Sequence, residues 1–115
     1  MKESYIDEQG VQAFYNDFNE KGKEMLDKYD NIQKSLEVGA ENIKGVTQGE
    51  LTEASINISK IKKRIEELLE RYNACMSDSI ESMAGLDAGA VSKMKGELAN
   101  LSEGIKKRSG SGGGS

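Results

Sequence analysis

The sequence contains no histidine, no proline and no tryptophan, and a single cysteine, Cys75. Each absence removes a class of explanation. Without histidine, the commonest general base and a leading metal ligand are missing. One cysteine closes no internal disulfide. Without proline, no residue forces a helix to stop. Aromatic residues make up 5% of the 115 positions and apolar residues 36%, little material for a large private core. No apolar run approaches the roughly 20 residues that cross a bilayer. The opening stretch MKESYIDEQG has no apolar signal-peptide core. The expectation is residence in the cytoplasm, or export without a cleaved signal peptide together with a partner.

Charge is plentiful but unevenly placed. Lysine and arginine number 16 against 20 aspartate and glutamate, a net charge of −4. Residues 1–50 hold 6 basic and 11 acidic groups, net −5, and residues 51–115 hold 10 and 9, net +1. Opposed halves suit a hairpin whose arms attract. Nucleic acid is excluded as a partner, because phosphate binding needs a concentrated basic surface. The one basic patch, Lys60, Lys62, Lys63 and Arg64, runs straight into Glu66, Glu67 and Glu70. It reads as a solvated helix face with i,i+4 pairs Lys63–Glu67 and Glu67–Arg71.

What is present is helical spacing. Val11, Phe14, Phe18, Met25, Tyr29, Ile32, Leu36 and Ile43 form a stripe of nearly heptad period, with Gly22 and Gly39 in its gaps. Those glycines mark close backbone approach or fall there by chance. Gly45 and Gly49 punctuate a turn. Leu51, Ala54, Ile58, Ile61, Ile65, Leu68, Tyr72 and Cys75 then alternate steps of three and four, with Leu69, Met76, Ile80 and Met83 widening the face. Around Gly85–Gly89 the register shifts: either Asp87 caps a new helix, the reading favoured, or a single helix over 50–107 drifts around its axis. The third stripe is Val91, Met94, Leu98, Leu101 and Ile105, and Lys106, Lys107 and Arg108 follow where a helix C-terminus favours positive charge.

The expected fold is therefore all-α: a long antiparallel helical hairpin with a short third helix and coiled-coil-like packing. A single helical domain spans 1–108, with helices at about 8–43, 50–84 and 88–107. The tail Ser109–Ser115, SGSGGGS, reads as an engineered flexible linker or tag remnant. Two hairpin arms leave part of their stripes in water, and a second chain completing a four-helix bundle would cover them.

Catalytic chemistry has little to stand on. Cys75 has no histidine to activate it and falls on the apolar seam, so it reads as a small buried hydrophobe. Glu66, Glu67 and Glu70 read as solvated. No phosphate-binding glycine loop occurs. The expectation is a protein that is not an enzyme, with no cofactor, no metal and no small-molecule substrate. Tyr29 and Tyr72 read as core residues with the hydroxyl at the rim, and Met25, Met76, Met83 and Met94 as core filler. Tyr15 belongs to the densest aromatic cluster, Phe14 to Phe18. Two readings of that cluster stand: one end of the bundle core, or a partner-facing hot spot.

The layout resembles the WXG family of small type VII secretion proteins and the WXG-like partners of LXG toxins. The likeness spans roughly residues 5–105 in architecture. At the turn, Ile43-Lys44-Gly45 stands where the family has Trp-x-Gly: Gly45 matches and Ile43 replaces the tryptophan. The family's Tyr-x-x-x-Asp/Glu export signal is not matched, since Tyr72 is followed at that spacing by Met76. Nor is the aromatic-x-x-x-Asp pattern, since Phe14 is followed by Phe18. These departures fit a protein carried by, or escorting, a partner that holds the signal. The resemblance implies a Gram-positive targeting chaperone that binds the helical domain of a secreted toxin, or a second small helical protein, as hetero- or homodimer. The binding residues expected are Phe14, Phe18, Ile58, Ile61, Ile65, Leu68 and Leu69. The alternative is a self-assembling needle- or filament-like coiled-coil subunit, or a regulatory adaptor.

Overall fold

A computed structural model describes residues 7–43 and 45–113. Tyr5, Lys44 and the last two positions of the expected linker, 114 and 115, lie outside the described residues. The described residues form three helices, α1 (Glu8–Asn42), α2 (Val46–Ile80) and α3 (Ala88–Gly113), and no strand.

Local chemistry sets most of the boundaries. Asp7 caps α1 by accepting a hydrogen bond from the Gly10 backbone N–H at 2.6 Å, and Glu8 adds negative charge in the first turn. At the other end, the Ile43 N–H donates to the Gly39 carbonyl at 2.9 Å and the backbone turns extended. Gly45 follows with φ 101°, a conformation that L side chains avoid, so the tight turn needs a glycine there. α2 begins at Val46 rather than about 50. Gly49 is taken into its first turn, and the Gln48 side chain donates to the Ala40 carbonyl at 2.8 Å, tying that turn to the end of α1. α2 stops at Ile80 rather than about 84. The Ser82 and Met83 N–H groups reach back three residues to Ser79 and Ile80, and Gly85 takes φ 94°. Asp87 caps α3 through the Ala90 N–H at 2.8 Å, so the break between second and third helices is real. α3 runs past Arg108 through Gly113.

Cross-helix contacts give the chain directions. Asn19 meets Asn73, Gln33 meets Ser55 and Ala40 meets Gln48, so α2 returns antiparallel to α1. Glu97 meets Gln12 and Tyr15, and Arg108 meets Asp27 and Asp30, so α3 runs in the sense of α1. The molecule is elongated, 66 × 32 × 16 Å. α3 covers the half of the hairpin that holds both termini of the pair and leaves the half at the turn two helices thick.

The core forms two apolar clusters. Tyr15, Ile80, Met94 and Leu98 make the first, and Leu26, Leu69 and Ile105 the second. Along α1, Asn19 falls between them and exchanges side-chain hydrogen bonds with Asn73. The third stripe packs as its spacing indicates: Met94, Leu98 and Ile105 are buried, Val91 and Leu101 half-buried.

The first stripe does not. The buried line on α1 is Tyr15, Asn19, Gly22, Leu26 and Ala40, one position round from the heptad seam. A seam calculation assumes one neighbouring helix. α1 has two over its first half, and the buried arc turns toward the side that α2 and α3 share. Met25 is consequently exposed rather than core filler. On α2, Cys75 is exposed rather than buried, and Glu66 is buried rather than solvated. The Tyr72 hydroxyl is not at a wet rim; it is buried without a hydrogen-bond partner. Of the basic patch, Lys62 is the residue that pairs, with Asp30 at 2.5 Å across the hairpin, and the expected Lys63–Glu67 and Glu67–Arg71 pairs are not among the ion pairs of the described residues.

Candidate functional site: an open apolar face on the hairpin

Displacing the buried arc leaves much of the first stripe in water, while Val11, Tyr29 and Leu36 stay half-buried. Phe14 is 57% exposed, Phe18 40%, Met25 48% and, across on α2, Leu68 52%. Isolated exposed apolar residues mean little, but a contiguous set marks an interaction surface. These are contiguous. Phe14, Phe18 and Met25 form one wall of a groove of about 380 Å³ and Ile65 and Leu68 the other. Gly22 and Leu69 make its floor. Asp17 and Lys21 stand at its α1 edge, joined by an ion pair at 3.0 Å.

The floor depends on Gly22. A Cβ there would lie 2.5 Å from Leu69 Cδ2 and 2.8 Å from Cδ1, so Leu69 occupies the space a side chain would take. The close approach that the glycines of the first stripe suggested exists at this position.

Aromatic packing shapes the far end. The Tyr72 ring lies against Phe18, with centroids 4.0 Å apart, and meets Phe14 edge-on at 6.2 Å. Burial pushes the Tyr72 hydroxyl above its ordinary pKa. Tyr15, one position round α1 from Phe14, is wholly buried and donates its hydroxyl to Glu97. Burial first, then that neighbouring carboxylate, raise its pKa well above the phenolic range. The Phe14–Phe18 segment thus divides: Tyr15 serves the core while Phe14 and Phe18 face outward.

The other expected binding residues take graded positions. Ile61 is exposed on the α2 side of the same face, Ile58 and Ile65 are half-buried, and Leu69 is buried in the floor. At the turn, Ile43 is exposed and Gly45 supplies the positive φ. Spacing alone missed the Asn19–Asn73 pair, Tyr15–Glu97, and the joining of Arg108 to Asp27 and Asp30 at 2.6 and 2.5 Å. A signal existed for Tyr15, in a second line of Tyr15, Gly22, Leu26 and Tyr29 beside the first. None existed for the asparagines, which look like surface residues until their helices are in register.

Among the described residues, no cluster of three or more histidine, cysteine, aspartate or glutamate side chains is arranged to hold a metal ion, and no helix is long and apolar enough to cross a membrane. No protein-family model, curated protein or solved structure matches the chain. The class that fold and face define is an all-helical chain with an uncovered apolar groove.

Proposed function

We propose that the chain acts by binding a second helical protein, and that it is a WXG-like partner or targeting chaperone for the helical domain of a type VII secretion effector. One observation carries the binding reading: the exposed Phe14, Phe18, Met25 and Leu68 around a groove between α1 and α2. A helix laid in that groove would complete a four-helix bundle with coiled-coil-like packing on the hairpin. The secretion assignment rests on the resemblance, with Gly45 at the turn between two helices of 35 residues each.

The test is the mass and helicity of the full chain, alone and with the helical N-terminal domain of an LXG toxin. The expected result is a 1:1 complex with more helical signal than the sum of its parts, abolished by Leu68→Asp. Scattering that grows with concentration in the chain alone overturns this reading and supports the self-assembling subunit.

A further inference from the structure

The groove's two edges differ in charge. On the α1 edge, Asp17 and Lys21 neutralise one another. On the α2 edge stand Arg64 and Arg71, both exposed and neither in an ion pair among the described residues. They are seven residues apart, two helical turns, and so point from the same edge. Leu68 lies between them, four residues after one and three before the other. The apolar wall is therefore bracketed by two cations in no ion pair, with the exposed Glu67 one step further round α2 leaving that edge net positive, while its counterpart is electrically quiet.

The floor adds a steric requirement. Gly22 contributes no side chain and Leu69 fills the gap beneath it, so the deepest part of the groove is apolar and open above. A helix seated there fills it best with one large apolar side chain. Its edge over α2 is then held against Arg64 and Arg71.

We infer that the helix docking on this face is amphipathic and acidic along one edge, with carboxylates seven residues apart facing Arg64 and Arg71 and a large apolar side chain seated over Gly22. The inference rests on the docking face proposed above and adds the partner's chemistry and orientation to it. Rim charges of this kind steer association and fix register more than they add affinity, and they are screened by salt.

The chain has no tryptophan, so a tryptophan in a peptide reports binding without background. Two synthetic helical peptides serve as probes. Both carry the same leucine stripe with one central tryptophan, and the positions flanking the stripe are glutamate in one and lysine in the other. The glutamate peptide is expected to bind the full chain about tenfold more tightly at low salt, two rim pairs being involved. The advantage shrinks as salt rises, Arg64→Glu with Arg71→Glu reverses it, and Leu68→Asp abolishes binding of both. Equal affinities, or a lysine preference, with binding still lost in Leu68→Asp, overturn the acidic edge and leave the docking face standing. No binding of either peptide overturns both. A stable dimer of the chain alone that Leu68→Asp splits places a second copy on the face and overturns the inference.

Discussion

Asn19 and Asn73 face each other across α1 and α2 and exchange two hydrogen bonds, each 2.9 Å long, while Asn19 also donates to the Tyr15 carbonyl at 2.7 Å. Both residues are 1% exposed. A one-residue slip of either helix breaks both bonds, so the pair ties the hairpin to one register between its two apolar clusters.

Removing one partner leaves the other amide buried and unsatisfied. Asn73→Leu is expected to cost about 1–3 kcal/mol in urea denaturation. Replacing both, Asn19→Leu with Asn73→Leu, restores most of that loss, and the register becomes less unique. Doubled amide signals in NMR spectra of the double variant are the outcome to look for, and a single sharp set argues against the register role.

Gly22→Ala places a methyl group on Leu69. Overpacking of this kind costs about 1–3 kcal/mol, less the roughly 1 kcal/mol that alanine gains over glycine inside a helix. In a Leu69→Ala background the clash is gone, so the same Gly22→Ala change turns stabilising. A double-mutant cycle on thermal unfolding checks the change of sign.

Leu68→Asp and Phe14→Ser sit on the open face and should leave unfolding free energy within about 0.5 kcal/mol of the parent chain. Leu26→Ala and Leu98→Ala, in the two buried clusters, should cost about 2–5 kcal/mol. Spacing treats Leu68 as a seam residue whose loss abolishes folding or pairing, and its exposure separates the two. Equal destabilisation by Leu68→Asp and Leu98→Ala would falsify the placement of the open face.

The Tyr15 hydroxyl is held neutral by burial and by Glu97, with its folded pKa raised. The stability this contributes is fully present below the ordinary phenolic pKa of about 10 and is lost as pH rises beyond it. Tyr72 acts in the same direction. Tyr15→Phe should be less stable at neutral pH, through loss of the Glu97 hydrogen bond, yet lose less on going from about pH 9 to 11. Denaturation midpoints of the two chains across that window make the comparison.

Arg108 bridges Asp27 and Asp30 from a half-exposed position and so pins the far part of α3. Arg108→Met is expected to cost under about 1 kcal/mol, and the cost should fade at high salt. Hydrogen exchange at Ile105 and its neighbours should quicken, while that at Met94 stays unchanged.

Much of the architecture was written locally. The spacing of apolar residues in a chain without proline specified three helices. Gly45 specified the first turn, and Gly85 with the Asp87 cap specified the second. The inward face of α3 also followed from spacing, because α3 carries one apolar line and one alone. α1 carries two lines side by side, Phe14–Phe18–Met25 and Tyr15–Gly22–Leu26, and either one satisfies helical periodicity. Which line is buried depended on where α3 packs, a contact between residues some 80 positions apart, such as Tyr15 with Glu97. Periodicity records that a helix has an apolar face, and it does not record how many neighbours share that face. The same non-local choice exposed Cys75, buried Glu66 and joined Asn19 to Asn73. The sequence by itself determined the helices, the turns between them and the lack of histidine chemistry. Tertiary structure alone decided which apolar line became the core and which was left open.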